Sequence, residues 1–463
     1  MAIRIKVSDV VYMNIVSLLG IRWFATAAQY GAASIILWIL AALLYFVPIS
    51  FVFAEFSSVF PDAKGGIVDW IREVYGEKVA FISSWFYLIC NIFYFPTILT
   101  FSGVTLAYVI SPELAKSKMF VTSYVIICFW IATYINIKGV KVIAVFGKIG
   151  GLVGNIIPII VILVLAVILI LIFKKPIPTS YEWGNWIPEF NSSNLLFLST
   201  LTFAMSGGEI TSPFVTNMAN PKKDFAKATL VSALVITVCY IVGTIAFTLI
   251  LNPSDIGAAS GPVDVIYRAS SQVGMPWFAA VISILIVLSG LIGTAIWMVG
   301  TVRMFIEGND EKYIAKHLKK NNKRDIPANA LIYQSLFVTA IVLAASFMKS
   351  VENIYIILVI MATIPLFIVY LILLLAFLKL KFKMQKNGNY IGVYSAPWKK
   401  FGALLFFIIA AFSTVVTIVI PLFSPGDNNI WIYEAETIGG PVLFFIAGWL
   451  IIRNVIKKKK SAV

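Results

Sequence analysis

The chain has 463 residues, of which 60% are hydrophobic and only 12% charged, with a formal net charge of +15. A soluble protein of this length cannot hide so much apolar side chain, so a soluble enzyme or binding module is excluded. The basic excess is therefore placed against a membrane before it is read as a nucleic-acid surface.

Apolar runs of about 20 residues give twelve spans, and the chain is expected to be an all-α membrane protein. The first, 8–28, is interrupted around Ser17-Leu18-Leu19-Gly20-Ile21-Arg22. Lipid offers backbone groups no partners, so glycine beside a charged residue at mid-depth points to unwound backbone facing a cavity. Arg4, Lys6 and Ala25-Thr26-Ala27 imitate a cleaved signal peptide. Cleavage would destroy the break, so the segment is read as a span. Span 32–58 leads into 61–77, read as a cytoplasmic turn and short amphipathic helix. Spans 79–109, 119–136 and 141–173 follow, the last carrying Lys148. Residues 174–193 form an external segment with Trp183 and Trp186 at interface depth.

The sixth span, 194–217, is interrupted around Met205-Ser206-Gly207-Gly208-Glu209 and so matches the first. Two interrupted spans in corresponding places are the sequence mark of a secondary transporter's binding site. Spans 226–251 and 277–306, a basic connector at 307–327, then spans 328–348, 353–378, 400–421 and 437–456 complete the chain. The organisation is five spans (8–173), five more (194–378) and two further (400–456), within a single transmembrane domain, 1–463.

With the N-terminus in the cytoplasm, six Lys and Arg fall outside: Lys116, Lys118, Lys174, Lys175, Arg268 and Lys349. Arg22 lies within a span and the other 29 fall on the cytoplasmic side. This asymmetry places both termini in the cytoplasm. It also accounts for the net charge without nucleic acid, and the Lys457–Lys460 run reads as an anionic-lipid anchor. Cys90, Cys128 and Cys239 are far apart within spans, and the lone histidine, His317, sits in the basic connector. Neither a metal site nor a His-activated nucleophile is expected, and no cofactor.

The stretch Phe203-Ala204-Met205-Ser206-Gly207-Gly208-Glu209, followed by Asn220-Pro221-Lys222-Lys223-Asp224, resembles the sixth helix and following loop of the amino acid–polyamine–organocation superfamily. Ala54-Glu55-Phe56, Pro61, Gly65-Gly66 and Trp70 are similar to its second helix and loop, and Gly293-Thr294-Ala295-Ile296-Trp297-Met298-Val299-Gly300 to its eighth. Within it the chain is most similar to the bacterial glutamate/GABA antiporter-type subfamily. That group exchanges amino acids for their decarboxylation products, such as glutamate/GABA, tyrosine/tyramine, histidine/histamine or agmatine/putrescine.

The resemblance implies a LeuT-like inverted five-helix repeat plus two extra helices, with helices 1 and 6 broken, in the cell membrane. It implies amino acid and amine substrates exchanged by alternating access. A proton- or sodium-coupled symporter of the same fold is the alternative.

The expected substrate site runs along Ser17, Leu19, Gly20, Ile21 and Arg22, and along Ala204, Met205, Ser206 and Gly207. Free backbone N–H groups there suit a carboxylate and free carbonyls an ammonium. Simple kinking at glycine is the plainer reading. Arg22 either contacts a substrate carboxylate or pairs with Glu209 across the breaks. The resemblance places Phe203 where relatives carry an aromatic gate above the substrate; packing of one apolar face is the plainer reading. It likewise matches Trp297 to an aromatic facing the pathway in the eighth helix. Lys148 resembles a lysine that replaces a bound cation in some relatives, or else snorkels to the surface. Asn91, Tyr94, Met361 and Thr363 are possible pocket walls.

Overall fold

The computed structural model describes residues 5–63, 65–138, 156–189, 192–257, 259–324, 326–386, 399–423 and 430–460. Lys148 lies outside the described residues.

The described chain is almost entirely helical. In order come α1 (Val7–Leu18), α2 (Ile21–Ala28), α3 (Ala33–Val59), α4 (Ile67–Tyr75), α5 (Glu77–Ile110), α6 (Lys118–Lys138), α7 (Ile157–Leu171) and α8 (Ser192–Ala204). A 3-10 segment, Gly208–Asn217, leads to α9 (Pro221–Thr248), α10 (Gly261–Gln272), α11 (Trp277–Glu307), α12 (Ala328–Ala345), α13 (Val351–Lys386), α14 (Lys399–Val419) and α15 (Ile430–Lys460). Among the described residues, nine helices are long and apolar enough to cross a membrane. The chain is a multi-pass membrane protein.

Burial sorts these helices. α5 and α13 run through the centre, lined with buried Phe86, Phe93, Leu99, Phe367, Leu373 and Phe377. Toward the rim, Leu234, Leu288, Phe412 and Leu443 are exposed, which only a lipid surrounding makes favourable. α3 is not a uniform α-helix. A π-turn at Ala42–Phe46 precedes Pro48. Proline has no N–H and crowds the carbonyl four residues back, and the wider turn absorbs both defects.

The short amphipathic helix expected within 61–77 is present as α4, bracketed by Gly66 (φ 58°) and Gly76 (φ 80°). Its apolar face does not lie on lipid. Ile67, Val68, Trp70 and Ile71 are buried in protein, and Trp70 stacks on Phe56 of α3 at 5.5 Å. Arg72 fixes its other side, bonding Asp69, Glu77 and the carbonyl of Gly308 beyond α11. Beside this helix, the last turns of α3 and α13 are joined by an ion pair, Lys381 Nζ to Glu55 Oε1, at 2.5 Å. The two side chains are 2% and 0% exposed.

Removing one member of such a pair leaves a buried charge without its counterion. Lys381→Met is expected to destabilise the protein by about 3–5 kcal/mol, read as thermal unfolding in detergent. The double variant Glu55→Gln/Lys381→Met should be closer to wild type than Lys381→Met alone.

Candidate functional site

The helical pattern that begins at Val7 stops at Leu18 and resumes at Ile21. Leu19 and Gly20 between them are extended (φ −71°, ψ 109° and φ −123°, ψ 123°). Any residue adopts the backbone of Gly20; what requires glycine there is space. A Cβ would meet the Trp23 ring at 3.1 Å. In the second half, α8 stops at Ala204, and Gly207 takes φ 110° before the 3-10 segment. Here glycine is required by conformation as well, since L side chains avoid that region. A Cβ would also come within 3.3 Å of Trp297.

The two interruptions lie together. The Tyr240 hydroxyl on α9 reaches the carbonyls of Leu18 (2.6 Å) and Ala204 (3.0 Å), the last residues of α1 and α8. Asn14 adds a second tie, accepting from Thr211 at 2.8 Å and donating to Ser232 at 3.1 Å.

Between the breaks lies a cavity of about 20 Å³, room for roughly one water. It is lined by Ser17, Leu18, Trp23, Tyr87, Cys90, Asn91, Tyr94, Phe203, Ala204, Ser206, Gly207, Glu209, Trp297 and Leu366. One wall is aromatic: Phe203 stands edge-on to Trp23 (5.8 Å) and Tyr94 (5.7 Å), and Trp297 edge-on to Tyr94 (5.9 Å). The polar wall keeps unused capacity. Asn91 Oδ1 is buried without a hydrogen-bond partner in the protein, and so are Tyr87 Oη and Glu209 Oε1, which lie close enough to interact with each other. Around the cavity such atoms can each take a hydrogen bond from whatever occupies it.

Of the residues expected from sequence, the structure brings Ser17, Asn91, Tyr94, Phe203, Ala204, Ser206, Gly207, Glu209 and Trp297 to this cavity. Leu19, Gly20, Ile21 and Met205 form the backbone around it, their side chains, where present, turned into the core. Met361 is elsewhere. Its Sδ-methyl packs against Gly440 of α15, so tightly that a Cβ there would overlap it. Thr363 donates to the Val359 carbonyl of its own helix. α13 is buried on nearly every side, so spacing alone does not tell which side meets the cavity; Leu366 does. Trp23, Tyr87, Cys90, Tyr240 and Tyr370 were not singled out in the sequence. Tyrosines inside apolar spans were the available signal, since a buried hydroxyl needs a partner.

Arg22 and Glu209 do not pair. Arg22, 8% exposed, donates from Nη2 to the Tyr94 hydroxyl at 2.5 Å. Its guanidinium also lies 4.7 Å from the Trp23 ring centre and 5.4 Å from that of Tyr94. Two aromatic faces and a hydroxyl thus supply what a carboxylate would have supplied. Glu209, 0% exposed, accepts from the Tyr370 hydroxyl at 2.5 Å. The same hydroxyl accepts from Gly207 N–H at 2.8 Å. Tyr370 therefore holds both the carboxylate and the turned backbone of the second break.

These contacts fix the outcome of two double-mutant cycles, scored by thermal unfolding. Tyr370→Phe should cost about 1–3 kcal/mol by stranding Glu209 and Gly207 N–H. Combined with Glu209→Gln it should show a coupling above about 0.5 kcal/mol. Arg22→Ala and Glu209→Ala should add to within about 0.5 kcal/mol.

Among the described residues no group of His, Cys, Asp and Glu is placed to hold a metal ion. The chain is 27% identical to an uncharacterised transporter of Legionella pneumophila over 455 residues, 97% of each chain. It is 23% identical to an aspartate/glutamate permease of Lactococcus lactis subsp. cremoris, covering 70% of this chain and 72% of that one. It is also 23% identical to a glutamate/gamma-aminobutyrate antiporter of Lactococcus lactis subsp. lactis, covering 83% and 77%. The amino acid permease family model matches residues 5–447. With two facing helix interruptions, a cavity between them and a family match over nearly its whole length, the chain belongs to the amino acid permease family.

Proposed function

We propose that this permease is an amino acid exchanger of the cell membrane, with both termini cytoplasmic. In this reading twelve spans form two inverted five-helix repeats, 8–173 and 194–378, followed by two helices in 400–456. α1 with α2 is one discontinuous span, and α8 with the 3-10 segment is its counterpart. The observation that carries the reading is the cavity between the breaks, lined by polar groups of Tyr87, Asn91 and Glu209 and by the rings of Trp23, Tyr94, Phe203 and Trp297.

The chemistry suits an amino acid. The N-terminal turn of α2 offers free N–H groups and positive dipole to a carboxylate. The carbonyls of Leu18, Gly20 and Gly207 are taken by Tyr240, Trp23 N–H and Ile210 N–H, which leaves those of Leu19, Met205 and Ser206 to suit an ammonium. A cavity of about 20 Å³ is too small for either substrate, so Phe203 must swing away from Trp23 and Tyr94 to admit one. That makes Phe203 a lid, with Trp297 and Arg22 each packed against Tyr94 beside it. Lys148 is proposed for coupling on family resemblance alone. The named activity of the lactococcal antiporter, glutamate for gamma-aminobutyrate, supports exchange of an amino acid for a related amine as the reaction class.

The test is counterflow in proteoliposomes. Labelled amino acid should accumulate in vesicles loaded with amino acid or amine, and barely enter empty ones. Robust uptake into empty vesicles driven by an imposed proton or sodium gradient would replace exchange with symport. Phe203→Ala should keep the fold and slow exchange by several-fold to about tenfold, the value of one aromatic contact. Unchanged kinetics would mean that Phe203 is ordinary packing.

A further inference from the structure

The Arg22 charge is solvated but not neutralised. Arg22 is the second residue of α2, where the positive end of the helix dipole already disfavours a cation, and no acidic residue stands in that first turn. Among the described residues no Asp or Glu pairs with it. The Tyr94 hydroxyl takes one N–H and two ring faces lie beside the guanidinium. Its Nε–H is buried without a partner. A charge left so at membrane depth is costly, and such residues mark the path of a substrate or ion.

A second unused donor lies near. Tyr94, Tyr355 and Tyr240 are all within electrostatic reach of Arg22. Tyr240 spends its proton on the Leu18 and Ala204 carbonyls. Tyr355, on α13 and 2% exposed, has a hydroxyl with no partner. Glu352, one turn before it, is committed to the Ala259 N–H at 3.2 Å. Arg22 and Tyr355 therefore offer an N–H and an O–H that nothing in the protein accepts. Neither residue lines the cavity, but Tyr94 and Trp23, which do, touch the guanidinium.

We infer that Arg22 and Tyr355 form an anion subsite beside the cavity, which takes a carboxylate on the substrate's side chain. The inference rests on the reading of the cavity as an amino acid site. The α2 N–H groups and the free carbonyls hold the main-chain end. The side-chain carboxylate meets the guanidinium once Phe203 has left Tyr94 and Trp23. The subsite limits the exchanged pair. When an acidic amino acid loses its α-carboxylate, the amine left behind still carries the other one, so both members satisfy Arg22. An amine with no carboxylate would bring a second cation to one that is not neutralised, and like charges repel strongly away from water. The subsite thus selects against diamines and aromatic amines.

The experiment measures ligand binding as thermal stabilisation in detergent, with gluconate as the background anion at fixed ionic strength, and counterflow in proteoliposomes. The probes are glutamate against glutamine and γ-aminobutyrate against butylamine, each pair matched in length. Wild type should bind glutamate about ten- to a hundredfold more tightly than glutamine, the worth of a hydrogen bond to a charged group. It should prefer γ-aminobutyrate to butylamine in the same sense. Arg22→Gln should abolish both preferences, and Tyr355→Phe should reduce them several-fold.

Equal binding of glutamate and glutamine by wild type would overturn the inference. So would an Arg22→Gln or Tyr355→Phe variant that discriminates as wild type does, or wild-type protein that chloride stabilises as much as glutamate. If Arg22→Gln does not fold, the wild-type preference and its reduction in Tyr355→Phe decide alone. Binding needs no transport. A glutamate preference lost in Arg22→Gln, without counterflow, would sink the exchange reading and leave the subsite standing. Counterflow of glutamate and glutamine with equal affinity would do the reverse.

Discussion

A helix interrupted inside a low-dielectric surrounding leaves carbonyls and N–H groups that water cannot reach, and each must find a partner within the protein. Here tyrosines meet that demand. Tyr240 gives its proton to the ends of α1 and α8, and Tyr370 takes the Gly207 N–H while giving its own proton to Glu209. The phenol group suits this work. Its ring packs in the apolar core, and its single polar atom both donates and accepts. Two tyrosines from different helices thus let two breaks coexist in one core without an ion pair between Arg22 and Glu209.

The same economy shapes the cavity. Most polar groups at the breaks are spoken for; Arg22 Nε is not, nor are the groups on Tyr87, Asn91 and Glu209, and these last three line the cavity, where a ligand has something to gain. The rings of Trp23, Tyr94, Phe203 and Trp297 contribute area and closure, and the Tyr94 hydroxyl also holds Arg22. A site built this way binds by pairing what the fold has left unpaired. It closes by letting rings meet edge to edge.

Much of this was legible in the sequence, for physical reasons. Lipid fixes span length, so the runs stood out. Glycine has a short list of uses, and Gly207 with φ 110° is one of them. What could not be read depended on long-range meetings. Tyr240 and Leu18 are 222 residues apart, and Tyr370 and Glu209 are 161 apart. Arg22 and Glu209 drew attention because charge at depth is costly, but the cost is met by hydroxyls and ring faces that carry no charge to notice. Met361 was misplaced for the opposite reason: a helix apolar all round gives no face away.

The π-turn in α3 has a consequence for the ion pair at its far end. An α-helix turns by about 100° per residue, and the wide turn at Ala42–Phe46 holds one residue more than an α-turn would. It therefore sets the rotational phase between the two halves of the helix. The first half aims Trp38 at Tyr240; the second aims Glu55 at Lys381. Deleting a single residue from that turn would give a more regular helix and a worse protein, since one of the two ends would face about a quarter-turn away from its partner. The irregularity works as a phase shift that lets one rod serve two appointments.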